Sequence, residues 1–232
     1  VKQLLATGKP VVLVLFGGRP QIITNIEPDC AAVLQAWFPG EEGGNALADI
    51  ITGNVNPSGK LTVTYPRTNA QAPIWYSANY DASNPPMYPF GYGLSYTSFL
   101  YKNLNLPKTA HAKDEFISMD FEVENTGTFD GTEITQLYLS PPSNITELEP
   151  IELKGFTRVD LNKGTSKKIS IQVSPEQLAF YSEGKWIIKP GVYEFKVGAS
   201  STDIRLSGNV ELLGDPLIFE EKQVLFSENR IE

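Results

Sequence analysis

Residues 37–67 read WFPGEEGGNALADIITGNVNPSGKLTVTYPR, and this stretch decides the first part of the fold. It strings together a Gly-rich acidic turn, a short amphipathic helix, an Asn-Pro-Ser-Gly turn and a strand. Ala46, Leu47, Ile50 and Ile51 fall at helical spacing, and Gly53 stands where a left-handed C-terminal cap belongs. Residues 61–65, LTVTY, alternate and are rich in β-branched side chains, so they read as a strand. Upstream, residues 11–16 form a continuous apolar run, the pattern of a strand buried on both faces. Gly17-Gly18-Arg19-Pro20 ends it, and residues 31–38 form a second apolar run before Pro39-Gly40. The first eight residues read as the end of a helix closing on Gly8, so the chain is expected to begin inside a fold. Residues 1–67 are therefore expected to belong to an α/β layer.

The pattern then changes. Residues 68–97 are dominated by Pro, Asn, Tyr and Gly and carry no periodicity. Trp75, Tyr76, Tyr80, Tyr88, Phe90, Tyr92 and Tyr96 are too many aromatic rings to leave in water, so the segment is expected to pack irregularly against an apolar surface. Residues 98–213 give short strand signals separated by turns. In FISMDFEVEN, Ile117, Met119, Phe121 and Val123 interleave with Ser118, Asp120, Glu122 and Glu124. EITQLYLS, KKISIQVS and GVYEFKVGAS follow. Such spacing predicts a β-sandwich of the immunoglobulin or fibronectin type without a disulfide. Residues 214–232 read as an acidic tail with a last strand at residues 224–226.

Bulk composition narrows the function classes. The 232 residues suffice for one large or two modest domains at roughly 150 residues each. A net charge of −8 argues against nucleic acid as a partner, because phosphate binding needs a basic patch. The longest apolar run, PVVLVLF, falls short of the ~18 residues of a membrane span. One cysteine, Cys30, and one histidine, His111, leave no Cys- or His-based metal centre and no intrachain disulfide, and no cofactor is expected. Cys30 reads as a small core residue and His111 as a solvated one.

Candidate chemistry is sparse. GNVNPSGK at residues 53–60 has five residues between its Gly and Gly-Lys, where a phosphate-binding loop has four, and Leu61 follows where Ser or Thr belongs. It reads as a turn into a strand. Gly17-Gly18-Arg19-Pro20 lacks the spacing that lets backbone approach a pyrophosphate, but Arg19 stands at a strand end, where α/β sites lie. Glu41 and Glu42 are the tempting pair. Glycosidic acid/base work needs two carboxylates ~5–9 Å apart with the sugar between, a geometry that adjacent loop residues rarely reach. Two readings stand for them: charges complementing the following helix dipole, or contacts at the rim of a site. The aromatic run likewise reads either as packing or as a sugar-stacking surface.

Three ordered motifs, GKPVVLVLFGGRP, AWFPGEEGGNALADIITGNVNPSGKLTVTYPR and YPFGYGLSYTSF, resemble the C-terminal half of a family 3 glycoside hydrolase. This is the β-glucosidase and β-xylosidase family, and the bacterial periplasmic β-glucosidases are most similar. VENTGTFDGTEITQLYLS, ELKGFTRVDLNKG and PGVYEFKVGAS resemble its fibronectin type III-like domain. The resemblance implies a partial α/β sandwich domain at 1–67, a packed connection at 68–97, a fibronectin type III-like β-sandwich at 98–213 and an acidic tail at 214–232. It implies retaining, exo-acting hydrolysis of terminal β-D-glucosyl or xylosyl residues in a periplasmic or secreted enzyme. Its nucleophile Asp and acid/base Glu are expected outside this chain, so no catalytic residue carries over and the chain alone is expected to be inactive. Glu41 and Glu42 match the family's PG-x-EGG turn, which is not its catalytic position. Glu41, Glu42 and Arg19 remain candidate rim or substrate contacts. Between Pro73 and Tyr88 the segment is shorter than the family's usual one, which reaches toward the barrel. The implied partners are a β-linked oligosaccharide or glucoside and the enzyme's N-terminal barrel portion, with a homodimer as one open assembly. A non-catalytic carbohydrate-binding or scaffolding module is the alternative. An α/β sheet cut partway is expected to leave an open strand edge and an apolar face.

Overall fold

The computed structural model describes residues 1–77, 83–113, 116–146 and 148–232. Tyr80 of the aromatic run lies outside them. The first part holds α1 (Lys2–Leu5), β1 (Val12–Phe16), β2 (Ala32–Trp37) and α2 (Gly43–Thr52). The second holds β3 (Phe99–Asn105), β4 (Thr109–His111), β5 (Ile117–Asn125), β6 (Gly131–Ser140), β7 (Glu152–Leu161) and β8 (Ser166–Val173). It continues with β9 (Phe180–Ser182), β10 (Lys185–Ile188), β11 (Gly191–Gly198), β12 (Ile204–Leu213), β13 (Leu217–Phe219) and β14 (Glu228–Ile231).

β1 and β2 pair in parallel, Val12 opposite Ala32 through Phe16 opposite Trp37. α2 starts from the acidic Gly-rich turn for a steric reason. Gly43 lies against the Pro39 ring, so a Cβ there would stand 2.5 Å from Pro39 Cγ. It ends at Gly53, whose φ of 80° is the left-handed cap, with its N–H donating to Ile50 O at 3.0 Å. Two expectations fail here. β1 is not buried on both faces: of its side chains only Leu15 is buried, while Val12 is 42% and Phe16 55% exposed. Among the described residues β2 is its one ladder neighbour, so a strand patterned for the middle of a sheet lies at an edge. Residues 61–65 form no strand. Leu61 bonds both Gly91 and Tyr92, and Tyr65 bonds both Met87 and Tyr88, so at each end one residue faces two, the register is irregular, and the ladder reduces to one bridge, Tyr65 to Tyr88.

The second part is a β-sandwich. A five-stranded sheet of order β4-β12-β11-β6-β7 faces a four-stranded sheet of order β14-β8-β5-β3. The alternation in β5 is realised: Ile117, Met119, Phe121 and Val123 are buried and join Ile169, Ile171, Leu137, Leu139, Val159, Phe195 and Val197 in one core. A small third sheet, β13-β10-β9, closes one end. The strand expected at residues 224–226 is absent, and β14 lies further on. The Gln223 and Val224 amides donate to Glu176 Oε2 at 3.0 and 2.9 Å, which takes them out of any ladder and leaves Phe226 83% exposed.

The two parts are fastened where a nucleotide loop was considered. Asn56 Nδ2 donates to Asp130 O at 2.9 Å, and its Oδ1 accepts from Ser95 Oγ and the Tyr96 amide. Lys60 Nζ sits 3.0 Å from Glu133 Oε1 on β6 and donates to Gly93 O at 3.1 Å. Gly53 to Lys60 therefore serve a cap and an inter-part hub.

Candidate functional site

A cavity of about 770 Å³ opens between the turn after β1, the extended residues 62–66 and the aromatic connection. Its size suits a small organic ligand. The Gly17–Pro20 turn carries Arg19 into its lining because Gly17, at φ 146°, reverses the chain directly behind β1. Ile22, Val63 and Ile74 supply apolar surface, and Trp75, Tyr76 and Phe90 supply rings. Tyr76 stacks on Phe90, with centroids 4.5 Å apart and planes at 27°. Its hydroxyl accepts from the Leu153 amide of β7 at 3.1 Å. Burial raises the Tyr76 phenol above its ordinary value, with Glu152 and Glu149 adding in the same direction. Trp75 is 67% exposed. The expectation that the aromatic run packs holds for most of its described rings: Tyr88 stacks on Tyr92, meets Tyr65 edge-on and donates to Glu27 Oε1 at 2.6 Å.

The structure separates the three candidate contacts. Arg19 lines the cavity, and Glu41 and Glu42 do not. Both glutamates are exposed in the turn before α2. Glu42 is the residue at the helix N-terminus, and its Oε2 accepts from Asn45 Nδ2 at 2.6 Å. Of the aromatic run, expected either to pack or to offer a sugar-stacking surface, Trp75, Tyr76 and Phe90 are the members that line the cavity. What composition does not reveal is which rings fold inward.

A second, larger opening of about 850 Å³ lies beside α1 and is lined by Lys2, Lys9, Asp29 and Cys30 among others. It has no aromatic ring, so the Arg19 cavity is the better fit for a ligand with an apolar face and hydroxyl edges. Cys30 is half-buried and its thiol donates to Ile26 O at 3.3 Å. His111 is exposed on β4. Among the described residues no cluster of three or more His, Cys, Asp or Glu side chains is arranged to hold a metal. Among the described residues no helix is long and apolar enough to cross a membrane.

Residues 1–96 match the family described as glycosyl hydrolase family 3 C-terminal domain, and residues 133–201 match the fibronectin type III-like domain. The chain is 36% identical to a periplasmic β-glucosidase of Salmonella typhimurium, over 92% of this chain and 30% of that protein. It is 35% identical to a β-xylosidase of Formosa agariphila, over 87% of this chain and 30% of that protein. Among solved structures, a Listeria innocua β-glucosidase in complex with glucose superimposes with a TM-score of 0.85 at 32% identity, covering 92% of this chain and 32% of that one. β-Glucosidase 3B of Thermotoga neapolitana gives 0.83 at 31% identity, covering 95% and 33%. The chain thus spans about 30% of the length of the relatives it matches.

Proposed function

Since this chain carries the C-terminal domain of glycosyl hydrolase family 3 followed by a fibronectin type III-like domain, we propose that it forms the C-terminal portion of a retaining, exo-acting β-glycosidase. The substrate is a terminal β-D-glucosyl or xylosyl residue of a glucoside or oligosaccharide. The observation that carries this reading is superposition on solved β-glucosidases through both parts of the chain at once. Retention needs two carboxylates about 5–5.5 Å apart, one to protonate the leaving oxygen and one to attack the anomeric carbon. No carboxylate is among the described residues lining the Arg19 cavity. The catalytic Asp and Glu are accordingly assigned to a barrel-bearing portion outside this chain. Arg19 and Trp75 are assigned contacts to a sugar hydroxyl and a sugar face, and Glu41 and Glu42 a place at the outer rim.

Exposed apolar side chains on the first part support such a covering portion: Phe38 is 81%, Leu4 60%, Phe16 55% and Ile51 50% exposed. The enzyme is assigned to the periplasm or the secreted fraction, on the name of the Salmonella relative. The test is turnover of an aryl β-glucoside. The purified 232-residue chain is expected to show none, and measurable turnover by it refutes the assignment of the carboxylates. The aromatic lining of the Arg19 cavity also favours a second reading, a non-catalytic carbohydrate-binding module. Calorimetric titration with cello-oligosaccharides separates the two, since saturable binding without turnover by the protein in full length supports the module. Light scattering on the same sample decides whether a homodimer forms.

A further inference from the structure

In a β-sandwich each strand turns one face to the opposite sheet and commonly leaves the other to solvent. β6 departs from this. Thr135, Gln136, Leu137, Tyr138 and Leu139 are all buried. Leu137 and Leu139 enter the sandwich core. Gln136 and Tyr138, which alternate with them, meet the aromatic connection.

Their contacts are specific. Gln136 Nε2 donates to Gly91 O at 3.1 Å and to Ala199 O at 2.8 Å. Its Oε1 accepts from Tyr138 Oη at 2.5 Å, so the amide orientation is fixed from both ends. Gly91 has a φ of 80°, and a Cβ there would lie 1.9 Å from Gln136 Oε1, so the connection crosses this point only as glycine. The Tyr138 ring is tilted against Tyr76 with centroids 6.4 Å apart. Phe90, directly before Gly91, has its carbonyl held by the Ser201 amide at 3.0 Å. Tyr76 and Phe90 are the stacked wall of the Arg19 cavity.

We propose that Gln136 and Tyr138, which belong to the fibronectin type III-like domain, are positioning residues for the sugar-binding wall of the Arg19 cavity. This domain then sets the affinity of a site that it does not line. The inference rests on the reading of that cavity as a sugar contact, and the test separates the two.

Cellobiose affinity is measured by calorimetry on the full-length protein for Gln136→Leu, Tyr138→Leu, Tyr138→Phe and Tyr193→Phe. Tyr193 is the control, a buried sandwich tyrosine whose hydroxyl donates to Lys189 O at 2.8 Å. Gln136→Leu and Tyr138→Leu are expected to weaken binding about tenfold. Tyr138→Phe keeps the ring and stays within about threefold, and Tyr193→Phe leaves affinity unchanged. Hydrogen exchange at the Leu153 amide, which donates to Tyr76, reads docking of the wall without a ligand. Its protection is expected to fall in both leucine variants while β11 amides keep theirs. Unchanged affinity and unchanged Leu153 protection in these variants overturn the proposal. If cellobiose fails to bind the parent protein, the sugar reading falls, and Leu153 protection alone then decides the positioning role. If Tyr138→Leu does not fold, Gln136→Leu carries the decision.

Discussion

Replacing Glu133 by Gln tests how firmly the two parts of the chain are joined. Lys60 Nζ and Glu133 Oε1 are 3.0 Å apart, with side chains only 13% and 6% exposed. At that distance and an effective dielectric of ~20 the gross attraction is roughly 5 to 6 kcal/mol. Much of it offsets the desolvation of both charges, so the pair's net worth is far smaller. Removing one partner is different, because the other charge stays buried with little to replace it. Lys60 would keep Gly93 O at 3.1 Å and the new amide oxygen, so the expected loss is about 3 kcal/mol, the low end of the range for a broken buried pair. Lys60→Met leaves Glu133 with the Ile134 amide at 3.0 Å and is expected to cost a similar amount. The double variant Lys60→Met/Glu133→Leu should recover most of the loss, since an apolar pair leaves no orphaned charge. Urea unfolding followed by tryptophan fluorescence measures all three and closes the double-mutant cycle. Salt provides a second check: a buried pair is weakly screened, unlike Arg158 with Asp160, whose side chains are 60% and 66% exposed. A loss below about 1 kcal/mol for Glu133→Gln that disappears in high salt would refute the reasoning, because that is how an exposed pair behaves.

Asn125→Ala should cost about 3 kcal/mol in the same assay. The buried amide donates to Phe129 O and Leu161 O and accepts from Thr97 Oγ1, and alanine strands those partners. Gly91→Ala should destabilise by roughly 2 kcal/mol or more, from the left-handed backbone together with the clash on Gln136, and should lower Leu153 amide protection; a neutral outcome would contradict the close approach. Stability should fall in alkali. Burial pushes the Tyr65 and Tyr193 phenols up to about 12, so the unfolded chain releases their protons from about pH 10 while the folded chain holds them. Their contribution is full below pH 10 and is lost as pH rises through 12, by up to about 1.4 kcal/mol per pH unit for each tyrosine. A tyrosinate absorbance titration that proceeds at ordinary phenol values with the fold intact would contradict this.

The sequence by itself determined the local elements. Alternation in FISMDFEVEN placed β5 and its inward face, because a pleated strand enforces a period of two. Gly53 fixed the end of α2, because few other residues accept its backbone geometry. The motif order pointed to the family whose models match residues 1–96 and 133–201, since it depends on residues in sequence alone. Tertiary structure decided the rest. LTVTY has the composition of a strand, but its fate turned on a segment more than twenty residues away, from Met87 to Tyr92, which lies opposite it in irregular register. The end of the chain chose Glu228–Ile231 over residues 224–226 because Glu176 captured two amides from across the fold. Arg19, Trp75, Tyr76 and Phe90 share one cavity, while Glu41 and Glu42 stand elsewhere. Spacing along the chain cannot sort these residues, because the cavity is made by segments as distant as Arg19 and Phe90 that meet only when the connection folds down onto β6.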